Sequence, residues 1–173
     1  MAAIQGFPPV AAPDARLLIL GSMPGEASLC AGQYYAHPRN AFWRIMGDLL
    51  GAGPTLPYAE RLLRLKAAGI ALWDVIADCE RSGSLDADIV RTSVRANDFG
   101  SFFAAHPGVE QVFFNGAAAE ASFRRHVLPS LPGSEFALCR LPSTSPAHAA
   151  RGYDEKLAAW SVIVAKKIGN GSV

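Results

Sequence analysis

The chain has 173 residues, near the size of one domain, and 50% of them are hydrophobic against 18% charged. That balance excludes a disordered chain and leaves ample material for a core. Sixteen Lys and Arg against fifteen Asp and Glu give a net charge of +1, which argues against a general polyanion binder but leaves room for a local basic patch.

Residues 1–15 carry three prolines and no clear periodicity, and read as an arm lying on the surface. Residues 16–21 (RLLILG) form a short apolar run closed by glycine, the pattern of a buried parallel strand. A long loop rich in Gly, Ser and Pro fills residues 22–37. Between Pro38 and Leu50 the apolar positions Phe42, Trp43, Ile45, Met46, Leu49 and Leu50 recur at helical spacing, and Gly51 ends the helix. Thr55 and Pro57 open a second helix with Leu62, Leu63 and Leu65 on its inner side. Residues 69–75 (GIALWDV) read as the next strand, followed by a polar loop through Asp88. Asn97 is the candidate N-cap of a short helix carrying Phe99, Phe102 and Phe103. Residues 109–114 (VEQVFF) are a third strand, 117–127 a helix, and 136–141 (FALCRL) a fourth strand. After a loop from Pro142 to Arg151, a final helix runs to Ile168.

Strands alternate with helical segments, and no repeat or linker interrupts them. The pattern predicts one domain over residues 1–173, a three-layer α/β/α sandwich around a mostly parallel four-stranded sheet. In such a sheet ligands bind in the loops beyond the carboxyl ends of the strands. Those loops hold most of the loop Asn, His, Ser and Tyr residues of the chain.

The three cysteines, Cys30, Cys79 and Cys139, are widely spaced and odd in number, which fits neither a disulfide framework nor a metal or iron–sulfur pattern. They read as reduced thiols, at least two of them interior. No His/Cys/Asp cluster has metal-ligand spacing, so neither a metal nor another cofactor is expected. Four of the basic residues are lysine (Lys66, Lys156, Lys166, Lys167), and none of them sits in a Gly/Pro/Ser-rich loop. Schiff-base chemistry, which needs a desolvated lysine in the site, is therefore disfavoured. No apolar run approaches the ~18–20 residues of a membrane span, and the N-terminus lacks the charged and apolar regions of a secretory signal. A cytoplasmic monomer is the expectation.

The first strand runs into Gly21-Ser22-Met23-Pro24-Gly25, a turn able to present backbone N–H groups to an anion. It has neither P-loop nor dinucleotide-fingerprint spacing and is a weak signal alone. It is followed by Tyr34-Tyr35-Ala36-His37-Pro38-Arg39-Asn40-Ala41-Phe42-Trp43, and later by Leu141-Pro142-Ser143-Thr144-Ser145-Pro146-Ala147-His148. Together these segments resemble the uracil-DNA glycosylase superfamily over roughly residues 16–165. The nearest branch is that of the hypoxanthine-DNA glycosylases, related to the mismatch-specific uracil enzymes. Mismatch-specific enzymes carry Asn-Pro-Gly in the first loop, where the Asn positions water; this chain has Met23-Pro24-Gly25. The resemblance to the hypoxanthine branch passes that role to Asn40.

The implied activity is removal of a deaminated base, chiefly hypoxanthine, from DNA by base flipping and water attack. Such a site must stack the base, hydrogen-bond its edge, and stabilise charge as the bond breaks. On the resemblance Tyr35 is the stacking aromatic, and Ser22 and Met23 lie on the base-binding side. Asp74 falls where a base edge is read; a helix cap or an ion pair is the competing reading. Asn115 is an edge-reading or catalytic candidate, or a turn residue. Arg39, Ser143, Thr144 and Ser145 are candidate DNA contacts. Pro146, Ala147 and His148 sit where the family wedges the duplex or contacts the leaving base, with His148 a catalytic candidate on the motif. His37 reads as a brace for its loop. Alternatives are a mismatch-type uracil glycosylase, or a catalytically impaired protein that binds damaged DNA.

Overall fold

The computed structural model describes residues 3–165. Four short runs form the parallel sheet: β2 (Leu17–Gly21), β3 (Ile70–Asp74) and β6 (Gln111–Asn115), apolar and buried along most of their length, and the edge strand β7 (Ala137–Leu141), whose Ala137 and Arg140 are exposed. Their spatial order is β3-β2-β6-β7. The register pairs Gly21 with Asp74 and Asn115 with Leu141, so the strands reach their carboxyl ends side by side.

Because side chains alternate along a strand, each sheet face builds its own core. Leu18, Leu20, Ala71, Trp73, Val112 and Phe114 pack on one side with α4 (Phe99–Ala105) and α5 (Ala117–His126). Ile19, Ile70, Leu72 and Phe113 pack on the other with α2 (Phe42–Leu50), α3 (Tyr58–Ala67), α6 (Tyr153–Trp160) and α7 (Val162–Ala165). The result is the predicted three-layer α/β/α sandwich. Truncating a fully buried residue such as Phe113 or Phe123 would cost about 3–5 kcal/mol.

Several local expectations are corrected. The N-terminal segment is no loose arm: β1 (Ala3–Gln5) pairs antiparallel with β4 (Ile76–Glu80), and Val10 bridges to Leu72. With β5 (Arg95–Ala96) these strands form a second, antiparallel sheet in the region read as a polar loop. The loop after β2 contains α1 (Glu26–Ala31), and the helix expected from Pro38 begins at Phe42. Asp98, not Asn97, caps α4, accepting from the Ser101 N–H at 3.0 Å. Asn97 instead donates to the Asp74 carbonyl at 2.8 Å. Leu65 is buried but Leu63 faces solvent, because adjacent helix positions are about 100° apart. Of the cysteines, Cys79 is buried, Cys139 half-buried and Cys30 exposed, so only one is fully interior. Part of the final helix expected to Ile168 lies outside the described residues. Among the described residues no helix is long and apolar enough to cross a membrane.

Candidate active site

The carboxyl ends of the parallel strands open into a cavity of about 570 Å³. Segments far apart in sequence converge there. The first loop brings Ser22 and Met23, the next segment Tyr35, Arg39 and Asn40, and the strand ends Asp74 and Asn115. Residues 143–147 close the far wall. His148 lies outside the lining and is exposed, while His37 lines the cavity and accepts the Arg39 N–H on Nδ1 at 3.0 Å.

Two polar atoms in this region are buried without a hydrogen-bond partner: Asp74 Oδ2 and the Tyr35 hydroxyl. Both groups pack against Gly21, where a Cβ would fall 2.4 Å from Asp74 Oδ1 and 2.9 Å from the Tyr35 hydroxyl. Only glycine leaves room for them. Tyr35 adopts φ 54°, the left-handed region that non-glycine residues rarely visit, and its ring lies 4.2 Å from that of Phe42. A strained tyrosine and an orphaned carboxyl thus stand side by side on the cavity wall.

The electrostatics follow from burial. Desolvation, reinforced by the Asp86 carboxylate, pushes the Asp74 pKa up to about 7, and the Arg81 guanidinium only partly opposes this. Both the protonated and the ionised acid are therefore present near neutral pH. Burial and then Asp74 drive the Tyr35 hydroxyl well above the ordinary tyrosine range, so it stays a neutral donor. The Asn115 amide lies near enough to moderate that shift, but it makes no hydrogen bond to Tyr35.

Asn40 and Asn115 have different surroundings. Asn40 Oδ1 accepts the Phe42 N–H at 2.9 Å, capping the first turn of α2 and fixing which end of the amide is oxygen. One Oδ1 lone pair and the Nδ2 group remain available on the cavity wall. Asn115, by contrast, meets Thr144 twice: Nδ2 donates to Thr144 Oγ1 at 2.9 Å, and Oδ1 accepts the Thr144 N–H at 2.9 Å. The next residue, Gly116, has φ 93°, and a Cβ there would fall 3.0 Å from that of Ser143. A side chain at residue 116 would push the last loop off the strand.

That loop is held from several directions. Thr144 is buried, and its carbonyl accepts the Ala41 N–H at 3.0 Å. Its groups thus face inward and hold the loop, which leaves Ser143 and Ser145 to present hydroxyls. Each of those accepts a backbone N–H two residues on, from Ser145 and Ala147 respectively. From below, Trp160 Nε1 donates to the Pro142 carbonyl at 2.9 Å, and Lys156 Nζ donates to the His148 carbonyl at 2.8 Å. Lys156, which the sequence places in the final helix away from the loops, is buried, and that desolvation lowers the pKa of its amine.

Sequence reasoning also missed the near rim, residues 84–86. Asp86 Oδ1 accepts from Ser22 Oγ at 2.5 Å, and Ser84 Oγ accepts the Glu26 N–H at 2.9 Å. Among the described residues no group of three or more His, Cys, Asp or Glu side chains could hold a metal ion.

The chain is similar to known proteins along most of its length. A model of the uracil DNA glycosylase superfamily matches residues 8–165. A protein of Methanosarcina barkeri named hypoxanthine DNA glycosylase is 41% identical over 113 residues, covering 65% of this chain and 70% of the relative. One of the same name from Methanosarcina acetivorans is 35% identical over 145 residues, covering 83% and 87%. The solution NMR structure of a candidate uracil DNA glycosylase from Methanosarcina acetivorans superposes with a TM-score of 0.74 at 32% identity, covering 94% of this chain and 99% of that one.

Proposed function

The chain belongs to the uracil DNA glycosylase superfamily, and from that premise we propose that it is a monofunctional DNA glycosylase that releases hypoxanthine from deoxyinosine. The observation that carries the substrate assignment is the orphaned Asp74 carboxyl on the cavity wall. A 6-oxopurine offers an N–H and a carbonyl oxygen side by side. An ionised Asp74 accepts from the first, which satisfies the orphaned Oδ2. An amino base presents a bare ring nitrogen at that position, which the ionised carboxylate cannot pair with, at a cost of about 1–3 kcal/mol. The two relatives that bear the name hypoxanthine DNA glycosylase support the same substrate.

The reaction breaks the bond between the deoxyribose anomeric carbon and the base nitrogen. The electron pair leaves with the base, water supplies hydroxyl to the sugar, and the water proton ends on the released base. The Tyr35 ring stacks on the extruded base. The free Oδ1 lone pair of Asn40 accepts from the attacking water and orients its oxygen toward the anomeric carbon. Asn115 acts through Thr144, holding the loop on which Ser143 and Ser145 grip the DNA backbone. Among the described residues no lysine lines the cavity, and the nearby Lys156 is engaged with the His148 carbonyl, so hydrolysis without strand cleavage is the expected outcome. The enzyme works as a cytoplasmic monomer.

The test is base release from oligonucleotides carrying deoxyinosine, deoxyuridine or deoxyxanthosine, with abasic sites then cleaved by alkali. Hypoxanthine release is expected. Uracil release without hypoxanthine release would transfer the chain to the mismatch-uracil type. Tight binding with no release from any of the three would make it a damage-binding protein.

A further inference from the structure

Helix α5 presents two different faces. Arg124 pairs with Glu120 one turn before it, and Glu120 also meets Arg140, an ordinary surface arrangement. On another face Ala118, Ala121, Ser122 and Arg125 follow at spacings of three and four, a row of small side chains ending in a guanidinium. This row lines a second cavity, a groove of about 270 Å³. The rest of its lining comes mainly from residues 86–94, where Arg91 stands on the short helical turn Arg91–Ser93. His126 adds a third basic side chain. Ser22 and Asp86 line both this groove and the base cavity, so the two adjoin. Arg91 and Arg125 are exposed, and among the described residues neither guanidinium has an ion-pair or hydrogen-bond partner. Among the described residues Asp86 is the only acid in the groove, and its Oδ1 accepts from the Ser22 hydroxyl where the groove meets the base cavity. Two unpaired guanidiniums from distant segments thus share one groove beside the proposed active site.

We propose that this groove seats the phosphate backbone of the DNA strand leading away from the nucleotide held in the cavity, with Arg91, Arg125 and His126 donating to phosphate oxygens. The proposal rests on the glycosylase reading above and extends the DNA contact beyond the base cavity. Helix α5 starts directly after the carboxyl end of β6, so Ala118 lies near the cavity and Arg125 further out. At about 1.5 Å per residue the two are about 10 Å apart along the helix. Phosphates of one strand follow each other at about 3.4 Å along the duplex axis, so Arg125 meets the strand about three nucleotides from the cavity. The row of small residues lets a backbone come close to α5, and Ile89 and Val94 give apolar contact to the sugars between phosphates. A guanidinium suits the task because its planar fork offers two donors to one phosphate. Such contacts carry no sequence information, so the groove holds damaged and undamaged DNA alike.

The experiment measures affinity for an undamaged duplex several helical turns long, over a series of salt concentrations starting at low ionic strength. Wild type is compared with Arg91→Ala, Arg125→Ala and Arg124→Ala. Arg124→Ala is the control: it removes the same charge from the neighbouring helix position, where Glu120 already pairs it. All three side chains are exposed, so the variants fold. In each groove variant the slope of log affinity against log salt is expected to become shallower by about 1, and in Arg124→Ala to stay close to wild type. Arg125→Lys, which keeps the charge, is expected to restore most of the slope. An unchanged slope in either groove variant would overturn the proposal. An equal change in Arg124→Ala would overturn it too, because the effect would then belong to net charge and not to the groove. Base release from a deoxyinosine duplex tests the other reading separately. If wild type releases no base, the glycosylase reading fails, while the salt series on undamaged DNA still decides the role of the groove.

Discussion

The carboxyl group of Asp74 occupies the space that a side chain at Gly21 would need: a Cβ on Gly21 would lie 2.4 Å from Asp74 Oδ1. The β2–β3 register sets the two residues opposite each other, and the Tyr35 hydroxyl closes in from the third side at 2.9 Å from the same point. The Gly21 backbone is not in the left-handed region, so alanine is tolerated conformationally and acts only through displacement of these two groups. Gly21→Ala is therefore expected to leave the protein folded and to slow single-turnover hypoxanthine release about a hundredfold, the usual result of moving a positioned group by about 1 Å. A thermal melt run beside the kinetic assay separates the two effects. An unchanged rate would show that the placement of Asp74 is irrelevant to the base.

Asp74 also makes stability depend on pH. Its folded pKa is raised from 3.8 to about 7, above the unfolded value, because burial disfavours the charged form. Below about pH 4 both states are protonated and the group costs nothing. As pH rises from 4 through 7 the unfolded chain releases its proton more readily than the folded one, so stability falls and then levels off. Asp74→Asn removes the titration. The variant should gain stability over wild type by an amount that grows between pH 4 and 7 and reaches a few kcal/mol at most. Chemical denaturation of both proteins from pH 5 to 9 reads this directly, and parallel stability curves would contradict it.

Asn40 carries two duties that substitutions can separate. Its Oδ1 caps α2 through the Phe42 N–H, a bond worth about 1 kcal/mol, and the remaining lone pair holds the attacking water. Asn40→Ala loses both, and its single-turnover rate should drop about 10²–10³-fold, the loss typical of one preorganised polar group. Asn40→Asp keeps the cap and an acceptor oxygen, so its melting temperature should return to wild type while activity is at least partly restored. An alanine variant that is destabilised but fully active would reduce Asn40 to a helix cap.

The parallel sheet was legible because each of its strands is a short apolar run bounded by polar or glycine residues. The antiparallel sheet was not. β3 and β4 are separated by Val75 alone, so the run GIALWDVI conceals a passage from one sheet to another, and the partner of β4 is the distant segment Ala3–Gln5. Asn97 and Asp98 are adjacent and equally suited to cap α4; the Asp74 carbonyl claims Asn97 and leaves the cap to Asp98. At the site, the motif segments marked Tyr35, Asn40 and the 143–147 wall. The near rim escaped because its order comes from contacts across about sixty residues, Ser22 with Asp86 and Glu26 with Ser84, which leave no local pattern.

The ion pairs sharpen what a net charge of +1 means for DNA binding. Glu120 faces both Arg124 at 3.5 Å and Arg140 at 3.8 Å, Glu110 pairs with Arg16 at 3.0 Å, and Asp78 pairs with Arg95. Arg44 lies over the Tyr153 ring at 3.6 Å. These contacts occupy much of the cationic surface. Among the described residues Arg39 is the only arginine on the cavity wall, against Glu26, Asp74 and Asp86. Few phosphates can be neutralised, so a plot of log affinity against log salt for the Asn40→Ala protein on a deoxyinosine duplex should have a slope of about −3. Most of the binding then comes from the base in the cavity, which releases no counterions. A slope steeper than about −6 would mean that an extended basic surface, rather than the cavity, holds the DNA.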